Sequence, residues 1–155
     1  MPDFLTGPGF LGTRATLRSD LTLILTLISA ILFNIGFILA RRKHFTAHRW
    51  VQTSAVTMNS LVVIISMVTS FIRSILPGIP SKLGQGDYAV TTIHSIMGAA
   101  ALLFGVFVTL RGNELVPKRL RFNNYLPYMR WAYALYMAAT LGGILIYIIV
   151  FIFGI

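Results

Sequence analysis

The chain has 155 residues, no cysteine and only four acidic residues. Without cysteine there is no disulfide, no thiolate metal site and no iron–sulfur ligation. The four acids, Asp3, Asp20, Asp87 and Glu114, are scattered, and no Ser-His-Asp set, carboxylate pair or phosphate loop is present. No catalytic residue is therefore assigned. Charge as a whole is scarce. Charged residues make up 11% of the chain and hydrophobic ones 56%, against roughly 25% charged in a soluble domain, whose surface must be wetted. Such a chain cannot cover itself with polar groups and must be solvated by lipid.

What is there is apolar and long. Residues 21–40, 50–72, 88–110 and 131–155 contain no Lys, Arg, Asp or Glu. Each stretch reaches the ~20 residues an α-helix needs to cross ~30 Å of hydrocarbon. The pattern predicts an all-α membrane protein, an up-down bundle of four transmembrane helices over about residues 20–40, 46–76, 88–110 and 129–154. Residues 1–19 read as an irregular leader, with Pro2, Gly7, Pro8 and Gly12 among Phe4, Leu5, Phe10 and Leu11. The leader is expected on the outer membrane surface or on a partner, and no cleaved signal peptide is expected. Residues 20–155 form the bundle. Ser19 or Asp20 is the expected cap of the first helix and Thr46 of the second. The cluster Pro77-Gly78-Ile79-Pro80 should end the second.

The net charge of +9 follows the same layout. Nine of the thirteen basic residues fall in two connections: Arg41, Arg42, Lys43 and Arg49, then Arg111, Lys118, Arg119, Arg121 and Arg130. Short cytoplasmic loops hold the excess of Lys and Arg, so both termini are expected to be non-cytoplasmic. Trp50 and Trp131 stand beside these connections, at the depth amphipathic rings prefer. Basicity set by topology gives no reason to expect nucleic-acid binding.

Helix faces sharpen the picture. At 100° per residue, His48, Gln52, Ala55, Asn59, Val62, Ser66, Ser70 and Arg73 fall within about 40° of one line. A polar stripe of this kind must face protein or water, because lipid leaves its hydrogen bonds unmet. His94, Gly98, Ala101 and Gly105 form a small-residue stripe on the third helix. Ala138 with Gly142, and Ala139 with Gly143, do the same on the fourth. Of the three histidines, His44 and His48 lie at the basic end. His94 lies within a span, where an ionisable group is a functional candidate. Its expected neighbours are Tyr147, Ser66, Ser70, Met67, Thr26 and Met97. His48 and His94 are expected ~25 Å apart in height at 1.5 Å per residue. No bis-histidine haem can form within one chain. A single-histidine haem or Cu(I) remains open at His94, since imidazole and thioether both suit Cu(I).

The arrangement resembles a family of small bacterial and archaeal four-helix membrane proteins, the domain of unknown function 420. The resemblance rests on Ala47-His48-Arg49 opening the second helix, Ile93-His94 early in the third and Met129-Arg130 opening the fourth. The closing run Leu141-Gly142-Gly143-Ile144-Leu145-Ile146-Tyr147 adds to it. Some family members are linked to maturation of haem–copper terminal oxidases. Many carry a further His near the position of Tyr125, which with His48 would form an inner haem or metal site. That ligand is absent here.

The resemblance implies a multi-pass protein of a prokaryotic cell membrane that assists assembly or stability of a haem–copper oxidase and handles haem or copper. Its partners would be lipids and other membrane subunits. The alternatives are a permanent accessory subunit of a respiratory or photosynthetic complex, and a haem- or quinone-binding electron-transfer protein. Candidate ligand-binding or function-sensitive residues are His94, Tyr147, Ser66, Asn59, His48 and Arg73, with His94 and His48 the candidate metal ligands. The topology is testable with reporter fusions at Lys118 and Ile155. A cytoplasmic signal is expected from the first and a non-cytoplasmic one from the second; the reverse pattern would sink the assignment.

Overall fold

The computed structural model describes residues 6–121 and 123–154, except the Asp87 side chain. Pro2, Asp3, Phe4, Leu5 and Ile155 therefore lie outside the described residues. Four helices account for most of the rest: α1 (Leu17–Arg41), α2 (Phe45–Gly78), α3 (Gly86–Gly112) and α4 (Leu126–Phe153). All four are long and apolar enough to cross a membrane, and no strand occurs among the described residues.

Local chemistry sets the ends. The α1 cap is Thr16, whose hydroxyl accepts from the Ser19 amide at 3.3 Å. Neither Ser19 nor Asp20 caps, because both already lie inside the first turn. α2 starts after His44 with no side-chain cap, so Thr46 does not take that role either. Pro127 sits in the first turn of α4, where a missing N–H goes unused. The basic ends of α1 and α3 close alike. The His44 amide donates to Leu39 O at 3.0 Å and the Lys43 amide to Ala40 O at 3.0 Å. Leu115 and Glu114 repeat this on Leu110 O and Arg111 O. The pattern requires a left-handed residue, and Lys43 and Glu114 take it at φ 61° and 63°. Each accepts a strain of about 1 kcal/mol that glycine avoids.

Contacts across the helices fix their order and direction. Along α1, the positions Gly36, Phe33 and Thr22 meet His48, Gln52 and Ser66 of α2 in turn, so the two are antiparallel. On the other side of α1, Asp20, Phe33 and Phe37 meet Tyr147, Tyr136 and Tyr133 of α4. Gly105 and Gly142 place α3 antiparallel to α4 through Tyr136 and His94. Thr53 with Asn113, and Ser74 with Tyr88, do the same for α2 and α3. The result is an up-down ring in which each helix touches its two chain neighbours. Its core is Phe33, Ala55, Val56 and Tyr136. The outward faces are apolar: Ile64, Ile93, Ile96, Leu103 and Leu141 stay largely exposed. Such a continuous band far exceeds what a water-soluble monomer presents.

α2 is not uniform. After Val62 it widens into π-helical turns at Val63–Val68 and Phe71–Ile75. A π turn closes i→i+5 bonds and so rotates side chains by less than 100° per residue. The polar stripe therefore holds from His48 to Ser66 and then leaves the seam, with Ser70 and Arg73 exposed.

The small-residue stripe of α3 also divides. A Cβ at Gly105 would strike the Tyr136 ring, which stacks on Phe33 at 4.4 Å, whereas nothing lies within 4 Å of one at Gly98. Gly105→Ala should cost about 1–3 kcal/mol of stability by overpacking. Gly98→Ala should be neutral or stabilising by up to about 1 kcal/mol. Thermal unfolding of the two variants in one detergent tests this, and equal midpoints would refute it.

Candidate functional site

Three polar clusters sit in the bundle, each at a different level. The first is the α1–α2 seam. His48 Nδ1 lies 2.7 Å from Gly36 O, a carbonyl that can only accept, so the imidazole donates from Nδ1. In the neutral ring this leaves the Nε2 lone pair free. Gln52 donates to Phe33 O at 3.3 Å, over a glycine, Gly36, whose missing side chain admits the Gln52 amide. Asn59 is 7% exposed, and the Tyr136 hydroxyl beside it does not reach hydrogen-bond geometry. Ser66 is hydrogen-bonded to Thr22 at 2.5 Å.

The second cluster is His94. The residues expected to partner it are engaged elsewhere: Ser66 holds Thr22, and Tyr147 holds Asp20 and Thr13. His94 instead faces the backbone of α4. A Cβ added at Gly142 would lie 3.0 Å from His94 Nδ1 and 3.4 Å from the Met97 methyl, and one at Gly143 3.5 Å from His94 Cε1. The glycine pair is therefore the platform on which the imidazole rests. His94 Nδ1 is buried and has no hydrogen-bond partner among the described residues. Thr26 Oγ1 and Thr92 Oγ1 share that state. Gly142 falls between the levels of Tyr136 and Tyr147, so along α1 it corresponds to the region of Thr26. His48 stands opposite Gly36. The two histidines are thus ~15 Å apart at 1.5 Å per residue, less than the sequence spacing gave, and they do not share a site.

The third cluster was not visible as a site in the sequence. Asp20 is completely buried at the leader end. Its carboxylate accepts from the Leu11 amide at 2.8 Å and the Tyr147 hydroxyl at 2.5 Å, with the Phe10 amide also bonded to it. Thr13 Oγ1 joins the Tyr147 hydroxyl at 2.9 Å. The leader folds back as a short hairpin, with Gly9 N on Ala15 O and Leu17 N on Gly7 O, both at 2.9 Å. It is pinned to α4 by Arg14 N on Phe151 O at 3.3 Å. Gly9 packs so closely on the Asp20 carboxylate that no side chain fits there. The single acid at the edge of an apolar run was the only signal, and it reads equally well as a helix cap.

At the opposite, basic end the ring opens into a cleft of about 1160 Å³ between the α1–α2 and α3–α4 hairpins. Its walls carry Phe33, Phe37, Tyr133 and Tyr136, and its mouth carries Arg41, Arg49 and Arg130. His48, Gln52, Thr53 and Asn113 line it as well. Tyr125 donates to Val108 O at 2.8 Å and carries Arg111 over its ring at 5.9 Å. Burial pushes the Tyr125 phenol above its ordinary pKa, and the Arg111 charge opposes the shift. Among the described residues no group of three His, Cys, Asp or Glu side chains is placed to hold a metal ion.

These features define an all-helical protein with four candidate membrane-spanning helices, a multi-pass membrane class. No family model, no curated protein and no solved structure matches the chain.

The Asp20 cluster gives a direct expectation. Asp20→Leu removes the acceptor of the Leu11 and Phe10 amides and of the Tyr147 hydroxyl, a loss of about 1 kcal/mol for each bond, and should free the leader. Trypsin cleavage after Arg14 in the detergent-solubilised protein should then speed up by about tenfold or more. An unchanged cleavage rate would show that the leader is held by other contacts.

Proposed function

We propose that this chain assists the assembly or stability of a haem–copper respiratory oxidase in a prokaryotic cell membrane, with both basic connections in the cytoplasm. Its part in that process is to hold Cu(I) at His94. The observation that supports this reading most is the unpartnered Nδ1 of His94, buried over Gly142 with the Met97 methyl packed on the same glycine. An unmet polar atom inside an apolar bundle costs several kcal/mol. A bound ion removes that cost. Thioether is a soft ligand and imidazole suits copper, so the pair favours Cu(I) over Mg(II).

A tetrapyrrole does not fit at His94, because the α4 backbone at Gly142 and Gly143 lies against the ring. Two protein ligands leave Cu(I) open to a third from a receiving subunit, which suits transfer better than permanent storage. The family resemblance through Ile93-His94 and the closing glycine run points the same way. In this reading Asn59, Ser66 and Tyr147 are structural, since each lies buried in a seam or holds a neighbouring helix or the leader. Arg73, exposed beyond the π turns, has no part in the site.

His94→Leu, His94→Gln and Met97→Leu test the proposal in native membranes. The expected result is normal chain abundance, loss of most copper from the purified protein, and reduced haem–copper oxidase activity in all three. A histidine that only packs would tolerate Gln, which keeps a hydrogen-bonding group. Should His94→Leu and His94→Gln both leave copper content and oxidase activity untouched, the proposal is wrong.

A further inference from the structure

The cleft at the basic end does not belong to the His94 site, and its chemistry is different. Three observations bear on what it takes. Its mouth carries three guanidinium groups, Arg41, Arg49 and Arg130, and no carboxylate is among the residues that line it. Its walls are aromatic: Phe33 stacks on Tyr136 at 4.4 Å and Phe37 on Tyr133 at 4.9 Å, so the interior is a firm apolar surface bridging α1 and α4. The third observation is depth. Arg49 and Arg130 each precede a tryptophan, Trp50 or Trp131, that is 68% or 66% exposed on the outside of the ring. Tryptophans so placed sit at the level of lipid headgroups. The mouth of the cleft is therefore at phosphate depth and its interior at acyl-chain depth.

We propose that this cleft is a binding site for an anionic phospholipid, its phosphate held by Arg41, Arg49 and Arg130 and an acyl chain lying on the Phe33, Phe37, Tyr133 and Tyr136 wall. Guanidinium forks match phosphate oxygens and remain charged at any physiological pH. His48 and Asn113 also line the cleft and offer polar atoms to the ester and glycerol oxygens. The volume of about 1160 Å³ exceeds the usual range for small polar ligands and suits a large amphiphile. Inorganic phosphate would satisfy the arginines but leave the aromatic wall uncovered. The lipid covers both. Bound there, it also fills the gap beside the Phe37–Tyr133 and Thr53–Asn113 contacts that join the two hairpins.

The test uses the full chain purified in a neutral detergent and offered equal amounts of phosphatidylglycerol and phosphatidylcholine, with retained lipid read by native mass spectrometry. The expected result is one phosphatidylglycerol per chain, preferred by about tenfold or more. The Arg49→Gln/Arg130→Gln variant should lose that preference. Lys118→Gln/Arg119→Gln, which removes the same charge outside the cleft, should keep it. Equal loss in the two variants would mean diffuse surface attraction and overturn the proposal, as would no preference in the unaltered protein. Displacement of the lipid by millimolar inorganic phosphate would overturn the choice of ligand. A photoactivatable phosphatidylglycerol in native membranes supplies a readout that needs no variant. It should label Phe37 or Tyr133, and labelling confined to the outer faces of α2 and α3 would count against the site.

Discussion

In a bundle whose outward surface is apolar almost throughout, polar side chains have only the seams between helices and the two ends in which to find partners. That constraint organises this molecule. Along the α1–α2 seam, His48 and Gln52 reach carbonyls of the neighbouring helix, and Ser66 reaches Thr22. Elsewhere hydroxyls turn back on their own helix, as Ser29 does on Leu25 O and Ser60 on Val56 O. At the leader end a carboxylate is buried outright because two backbone amides and a phenol converge on it. A buried charge is tolerable only when such donors are in place. The leader is therefore part of the fold and not an appendage to it.

The same constraint makes the exceptions informative. Among the described residues His94 Nδ1, Thr26 Oγ1, Thr92 Oγ1 and the Tyr136 hydroxyl remain unmet. For a threonine within a helix the loss is small, since its hydroxyl can rotate toward the preceding turn. A histidine has no such retreat. Its ring is held against Gly142 and Gly143, and only something outside the described side chains can use its nitrogen.

The four long apolar helices, and a stripe on the second that avoids lipid, were legible because they depend on composition and on a period of 3.6. The failures have local causes. Extrapolating the stripe to Ser70 and Arg73 assumed a uniform 100° step, which the π turns at Val63–Val68 and Phe71–Ile75 break. The left-handed closures at Lys43 and Glu114 carried no glycine to mark them, even though Gly112 stands two residues before one of them. Gly98 and Gly105 look alike in a sequence, yet only one faces a ring. The partners assigned to His94 were chosen by depth alone. Depth cannot say which seam a side chain enters, and Tyr147 turned to α1 while His94 turned to α4.

The ends of the ring are closed by different means. At the leader end, Tyr147 of α4 is tied to Asp20 of α1 and through Thr13 to the leader, so the hairpins are fastened there by hydrogen bonds to a buried charge. In the middle, Phe33 and Tyr136 fasten them by stacking, and Asn34 with Tyr133 adds a bond at 2.8 Å one turn further along. Nearer the basic end Phe37 stacks on Tyr133 at 4.9 Å and Asn113 donates to Thr53 at 3.0 Å, and all four residues line the cleft. The His94 level lies on the leader side of the stacked Phe33–Tyr136 pair, where the imidazole packs on Gly142 and Gly143, and the cleft lies on the other side. The two proposed sites are therefore separated by the pair that fastens α1 to α4.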